Sequence, residues 1–456
     1  VPKWNNFNIL DPLKTEQLSN ATTNRLQIAD FAVHDWYRFV LSFPPHLVRT
    51  YLKKFRVPPN GRILDPFCGT GTTLVECKKH GFNVTGVEAH PMAHFASKVK
   101  TTWTPDPNVL LSEAHDIAAE ACSALGASGI LDEPLNDRWP RNLRRLSSEQ
   151  NDLLLENSIS ALPMHKALVL LDLIKGANLA VRDHLRLALA ASAVSDFSNL
   201  HFGPEVGVSK PKRDAAVILP WLERVEKMAA DLQVVKQRAG AASLAIHADA
   251  RELSGLIPSE SIDAVITSPP YPNEKDYTRT TRLEAVLLGF VANKAELRLV
   301  KQGLLRSNTR NVYKADIDDR YVQSHSDIQI IADAIEAKRI ELNKTSGFER
   351  LYARVTKLYF GGMARHFEDL KAVLAPGAKL AYVVGDQASY LRVMIRTGQL
   401  LAAVAKHHGF KPLAIDLFRT RLATATREQL REEVVVLEYP KRTRRRHSAL
   451  QRALPL

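Results

Sequence analysis

Cysteine is scarce in this chain and long apolar runs are missing. Cys68, Cys77 and Cys122 are the three cysteines among 456 residues. They are too few and too unevenly spaced for a disulfide framework or a zinc site, which points to a reducing, cytoplasmic setting. No apolar run is long enough to span a membrane and no leader peptide is evident, so no membrane partner is expected. Internal repeats and low-complexity tracts are absent as well. Acidic residues are the minority charge: 49 Asp and Glu against 62 Lys and Arg give a formal net charge of +13. A polyanion such as nucleic acid is the partner this balance suggests, because Lys and Arg neutralise phosphates. The length admits two or three domains, or one large domain with insertions.

Chemistry concentrates in two stretches. The first is Ile262-Asp-Ala-Val-Ile-Thr-Ser-Pro-Pro-Tyr-Pro272. Ala264, Val265 and Ile266 read as a buried parallel strand. Pro269 and Pro270 stop it, since neither has an N–H and both fix φ, and they hold Ser268 extended. Tyr271 follows at once. A hydroxyl, backbone carbonyls and a flat ring thus stand at the carboxyl end of a strand, where open α/β sheets bind ligands. Such a platform suits a flat polar ligand with an amino group, as a nucleobase is.

The second stretch is Gly61-Arg-Ile-Leu-Asp-Pro-Phe-Cys-Gly-Thr-Gly-Thr-Thr-Leu-Val-Glu76. Ile63 and Leu64 form a strand that Asp65 and Pro66 end. Gly69-Thr-Gly71 turns the chain tightly into a helix starting near Thr72. The glycines let a ligand approach the backbone, and the helix start offers free N–H groups. Asn83 to Glu88 reads as the second strand. Glu88 stands within roughly the 20-residue spacing at which an acid grips a ribose diol. Leu74 occupies the place of the third glycine of a dinucleotide fingerprint, which favours a nucleoside-containing ligand over a dinucleotide.

The rest of the chain falls into order around these strands. Residues 1–30 read as an arm, and residues 31–100 with 243–440 as the α/β unit. Within it, Leu47, Val48, Tyr51, Leu52 and Phe55 form one face of a helix entered through Pro44-Pro45. Residues 101–242 break the α/β rhythm as a helical insertion, with helix-prone runs Leu153–Ile159, Leu168–Ile174, Leu185–Val194 and Leu219–Val235. Inside it, Ser195 to Arg213 carries no period. Its mix of amide, hydroxyl, aromatic and cationic residues, Asn199, Lys210, Lys212 and Arg213 among them, suits either a solvated connector or a loop touching phosphates and base edges. Leu244 to Arg251 is the third strand with Asp249 at its tip, and Ile262 to Tyr271 the fourth. Tyr277, Arg279 and Arg282 follow as phosphate or base contacts. Residues 294–346 form a second variable segment. A long helix over Leu351–Leu374, a fifth strand over Ala378–Asp386, a helix over Leu400–His408 and two final strands, Lys411–Arg421 and Glu433–Tyr439, complete the unit. Residues 441–456 are a basic tail that adds affinity without reading sequence.

Together, Asp65-Pro-Phe-Cys-Gly-Thr-Gly-Thr-Thr73 and Ser268-Pro-Pro-Tyr271 resemble the cofactor and catalytic motifs of the amino-methyltransferases of DNA, which methylate an exocyclic amine with S-adenosylmethionine. The resemblance covers roughly residues 31–100, 243–290 and 350–440. It implies an α/β fold: a Rossmann-like, mostly parallel sheet of seven strands with a final antiparallel hairpin. It also implies roles. Asp65, Phe67 and the backbone of Gly69 and Gly71 would hold the methionine end of S-adenosylmethionine, with Thr72 or Thr73 at its carboxylate and Phe43 and Pro44 closing the pocket. Glu88 would take the ribose hydroxyls and Asp249 the adenine amino group. Ser268 and the carbonyl of Pro269 would accept hydrogen bonds from the target amine, with Pro270 stiffening the turn and Tyr271 stacking on the base. No covalent intermediate is needed, so Cys68 is not expected to be catalytic. A target inside a duplex must be flipped out to reach Tyr271.

A leading Ser is the form favoured by cytosine-N4 enzymes, whereas adenine-N6 enzymes more often begin with Asp or Asn. Cytosine N4 is therefore the expected acceptor and adenine N6 the alternative. An RNA or tRNA amine methyltransferase is a further rival, as is a non-catalytic DNA-binding subunit on the same scaffold. DNA is the expected partner, and a restriction or defence-system protein fits the same resemblance.

Overall fold

The computed structural model describes residues 26, 30–39, 42–133, 141–202, 205–238, 240–273, 275–422 and 429–441. The expected arm, but for Leu26 and Asp30, and the expected basic tail, but for Lys441, lie outside these residues.

Seven strands form the central sheet: β1 (Arg62–Asp65), β2 (Asn83–Glu88), β3 (Ser243–His247), β4 (Ile262–Thr267), β5 (Leu374–Gly385), β6 (Lys411–Leu422) and β7 (Gln429–Glu438). Their spatial order is β3-β2-β1-β4-β5-β7-β6. The pairs from β3 to β5 are parallel, and β7 runs antiparallel between β5 and β6. This is the mostly parallel α/β sheet with a terminal hairpin that the motifs imply. Chain order reverses between β1 and β4, so their carboxyl ends open a crevice at the switch point. Ile63, Leu64, Ala264, Val265 and Ile266 are wholly buried because helices cover both faces.

On one face lie the helices Pro45–Phe55 and Thr72–Lys79, which pack Leu47, Val48, Tyr51, Leu52 and Leu74 onto Ile63, Ala264 and Ile266. Pro45 takes the first helical turn, where its missing N–H leaves nothing unsatisfied. Helices Tyr352–Leu370 and Thr397–His407 cover the other face. The long helix ends at Leu370 rather than Leu374. Pro376 and Gly377 lie inside β5, where Gly377 takes φ +90° and its N–H donates to Tyr439 O at 3.0 Å.

Between β2 and β3 run the helices Pro107–Gly126, Ala161–Gly176, Leu179–Ser192 and Ile218–Val235. They share one core with Pro91–Thr101 and Arg282–Leu287, built around Trp103, Leu185, Trp221 and Leu283. Two expectations are corrected here. Leu153–Ile159 is not a helix: a single turn, Ser148–Asn151, precedes it, and the run continues as turns from which Leu153 reaches a small cluster with Val286 and Val291. Nor is the region helical throughout, because Leu200–Phe202 and Val206–Val208 pair as an antiparallel hairpin inside the aperiodic loop.

Residues 294–346 carry the helices Lys294–Gly303 and Ser326–Glu341, joined by short 3₁₀ turns. This segment packs Leu305, Val322, Ile328 and Ile335 onto the sheet-covering helix Tyr352–Leu370. The approach is close: a Cβ on Gly361 would collide with Asp318 O. Among the described residues, no helix is long and apolar enough to cross a membrane. Nor is any group of three or more His, Cys, Asp and Glu among them placed to hold a metal ion.

Candidate functional site

The tip of β1 starts the site. Asp65 ends the strand fully buried, and its Oδ1 accepts from Thr267 Oγ1 at 2.6 Å and from the Phe67 N–H at 3.1 Å. The first bond ties β1 to β4 across the switch point. Asp65 Oδ2 has no partner among the described residues. Burial pushes this carboxyl up to about 6 against the hydrogen bonds it accepts. The turn that follows closes when the Gly71 N–H donates to Cys68 O at 2.8 Å. Gly69 and Gly71 take φ +51° and +88°, left-handed values that favour glycine. A Cβ on Gly71 would also press on Ser97 at 3.0 Å, so this glycine also lets two helices approach.

Glu88 ends β2 beside this turn. Its Oε2 accepts from the Gly69 N–H and its Oε1 from the His90 N–H, each at 2.8 Å. A carboxylate has about four acceptor sites, so roughly two remain. The enclosing wall withdraws water and pushes the Glu88 carboxyl up to about 7. Asp249, two residues beyond β3, is clamped by Arg251, whose Nε donates to both of its oxygens at 2.9 and 3.0 Å. Arg251 also donates to Asp318 Oδ2 at 2.7 Å, which links this acid to the 294–346 segment. More of Asp249's acceptor capacity is therefore filled than that of Glu88.

At the end of β4, Ser268 donates its hydroxyl proton to Val383 O at 3.1 Å. With that proton committed to β5, the oxygen lone pairs of Ser268 are left to accept. The Tyr271 ring lies over Gly385, and burial together with nearby Glu432 pushes its hydroxyl pKa up. Cys68 is buried and burial raises its thiol far above the usual range, so it stays protonated.

One cavity of about 570 Å³ joins these parts. That lies within the roughly 300–1,000 Å³ typical of small-molecule sites. Of the sequence-selected residues, Phe43, Pro44, Phe67, Gly69, Thr72, Glu88, Asp249, Ser268, Pro269, Pro270, Tyr271 and Tyr277 line it. Asp65, Gly71 and Thr73 stand behind the lining; Thr73 donates its hydroxyl to Ile266 O at 3.1 Å. Among the expected nucleic-acid contacts, Asn199 is buried and holds its own loop, donating to Asn157 O at 2.9 Å and accepting from the Lys212 N–H at 2.9 Å. Arg282 turns inward to Thr278 O at 2.9 Å and Leu153 O at 3.2 Å. Lys212 reaches Asp196 O at 3.1 Å, while Lys210 and Arg213 are exposed on the same loop. Arg279 is half-buried, and its Nε has no partner among the described residues.

Sequence reasoning missed part of the cavity wall. Ser307, Asn311, Gln387, Arg419 and Glu432 line the cavity too. Arg419 and Glu432 form a two-bond ion pair there, at 2.6 and 2.9 Å, between β6 and β7. The Arg306–Asn311 run is polar in sequence yet almost entirely buried. Only its lack of helical period hinted at a role.

Comparison with known proteins adds the family. Residues 8–98 match a family model described as DNA methylase. The type II methyltransferase M.BsoBI of Geobacillus stearothermophilus is 24% identical over 459 residues, covering 90% of this chain and 86% of its own. M.AvaI of Nostoc sp., also a type II methyltransferase, is 23% identical over 449 residues, covering 89% and 86%. These matches support the amino-methyltransferase family for this chain. The crystal structure of TrmN from Thermus thermophilus aligns at 12% identity with a TM-score of 0.23, over 87% of this chain and 48% of that one.

Proposed function

We propose that the protein is a DNA methyltransferase that moves a methyl group from S-adenosylmethionine to the N4 amine of a cytosine flipped out of the duplex. The observation that carries the reading is a single cavity lined both by the glycine turn with Glu88 and by Ser268 to Tyr271. The similarity to type II methyltransferases supports DNA as the substrate and a restriction enzyme as partner.

The residues present fit the cofactor. Gly69 leaves open space where a Cβ would stand, so a ligand can lie on the backbone. Glu88 keeps acceptor capacity for a diol, and Asp249 stands at the same rim for an adenine edge. Phe43, Pro44, Phe67 and Thr72 would enclose the methionine end. S-adenosylmethionine supplies an electrophilic methyl group when bound.

The protein's part is to make a poor nucleophile competent. The lone pair of an exocyclic amine is conjugated into its ring. Ser268 Oγ and the carbonyl of Pro269 accept the amine hydrogens and favour a more tetrahedral nitrogen. Tyr271 holds the ring by stacking. Positioning and fixed dipoles do this work without a covalent step, in keeping with a protonated Cys68. Lys210 and Arg213 are the exposed cations proposed to meet phosphates. Transfer of labelled methyl to duplex DNA but not to tRNA, strongly slowed by Ser268→Ala, is the expected result. Transfer to RNA alone would reject DNA as the substrate.

A further inference from the structure

Part of the cavity wall that also holds the Ser268–Tyr271 platform is made by residues to which the proposed chemistry gives no task. The chain from Arg306 to Asn311 is stitched to the residues that follow the platform. Ser307 O accepts from the Asn273 N–H at 2.9 Å and from the Tyr390 hydroxyl at 2.9 Å, and Asn308 Nδ2 donates to Lys275 O at 3.2 Å. At the end of this run Asn311 lines the cavity, yet only 1% of it is exposed. Its Oδ1 is buried with no hydrogen-bond partner among the described residues. Leaving a buried amide group unpaired costs about 1–3 kcal/mol, which a water or a ligand in the cavity can offset.

We infer that the Asn311 carboxamide reads the ring edge of the flipped base, donating an N–H to the ring nitrogen beside the target amine. The inference rests on the methyltransferase reading above. A flipped base is identified by hydrogen bonds to its Watson–Crick edge. Cytosine and adenine both present an amine next to a ring nitrogen that accepts. Thymine and guanine present a carbonyl next to a ring N–H. A carboxamide is nearly symmetric in shape, and a half-turn exchanges its oxygen and nitrogen. With Ser268 and Pro269 accepting the amine hydrogens, the donor end of Asn311 falls to the ring nitrogen. Thymine and guanine would then set donor against donor. A site built to bond a substrate group rejects analogues that lack it far more strongly than shape alone does.

The test uses the full chain and a duplex carrying its methylated site, with either natural cytosine or 3-deazacytosine at the target. For the wild type, the deaza base is expected to lower kcat/KM about tenfold or more, the effect of one lost hydrogen bond to a buried partner. Asn311→Ala is expected to lose about as much on the natural base and nothing further on the deaza base. Asn311→Asp keeps the size, removes the N–H and is expected to behave likewise. Both variants should bind S-adenosylmethionine and melt as the wild type does. Wild-type transfer rates in Asn311→Ala, or a deaza penalty undiminished in that variant, would overturn the inference. A wild type that binds the cofactor but methylates no DNA would instead sink the underlying reading, and the inference with it.

Discussion

Gly385 lies directly beneath Tyr271: a Cβ built on Gly385 would stand 2.9 Å from the ring's Cε2. The same β5 strand holds the Ser268 proton through Val383 O. Two residues apart on one strand, Val383 and Gly385 set the direction of the hydroxyl and the seat of the ring. Gly385→Ala should therefore push the ring off its seat without unfolding the sheet. The expected loss in kcat is roughly 10–100-fold, since misplacement of about 1 Å costs that order. S-adenosylmethionine affinity, measured by calorimetry, should stay as in the wild type.

Ser268→Ala and Tyr271→Ala should separate catalysis from cofactor binding. Each is expected to lower kcat roughly 10²–10³-fold, the scale on which a positioned polar group acts. Cofactor dissociation constants should move little. If Tyr271→Ala turned over at the wild-type rate, the platform reading would be wrong.

Glu88 gives a pH dependence with a definite sign. Its carboxyl is raised from 4.5 to about 7 in the folded protein. The native state thus holds a proton that the unfolded chain has lost across that window. This group's contribution to stability is full below about 4.5 and falls as pH rises through 7. Cofactor binding runs the other way, because a diol is gripped by the carboxylate. The dissociation constant is expected to fall between pH 6 and about 8, and Glu88→Gln to flatten that profile. A slope unchanged in Glu88→Gln would assign the titration elsewhere.

Arg251 bridges Asp249 and Asp318 from a nearly buried position. Arg365 also pairs with Asp318, at 2.8 Å, and limits the damage when Arg251 is lost. Arg251→Ala leaves Asp249 without its clamp and should destabilise the fold by about 3 kcal/mol, the lower end for breaking a buried pair. Urea unfolding measures this. A shift below about 0.5 kcal/mol would show the bridge to be energetically idle.

How far the sequence could be read follows from the range of its signals. The strands and the glycine turn were legible because their cause is local. Ile63-Leu64 and Ala264-Val265-Ile266 are apolar runs stopped by Asp65-Pro66 and Pro269-Pro270, and Gly69 and Gly71 sit where φ is positive. Leu153–Ile159 misled for the opposite reason: its apolar residues serve a tertiary cluster with Val286, and propensity gave way to that packing. Asn199 and Arg282 were chosen for chemical type, but type does not say which way a side chain turns, and both turn inward. The rest of the cavity wall was illegible. Asn311, Gln387, Arg419 and Glu432 come from three separate parts of the chain, and only the assembled sheet and the folded-back 294–346 segment bring them to one cavity.

The most direct test is to incubate the protein with labelled S-adenosylmethionine and mixed genomic DNA, digest the DNA and analyse its nucleosides by mass spectrometry. The expected product is N4-methylcytosine, formed far more slowly with Ser268→Ala. N6-methyladenine would contradict cytosine as the target while leaving amine methylation intact. Unlabelled DNA from a protein that still binds the cofactor would contradict the central claim itself.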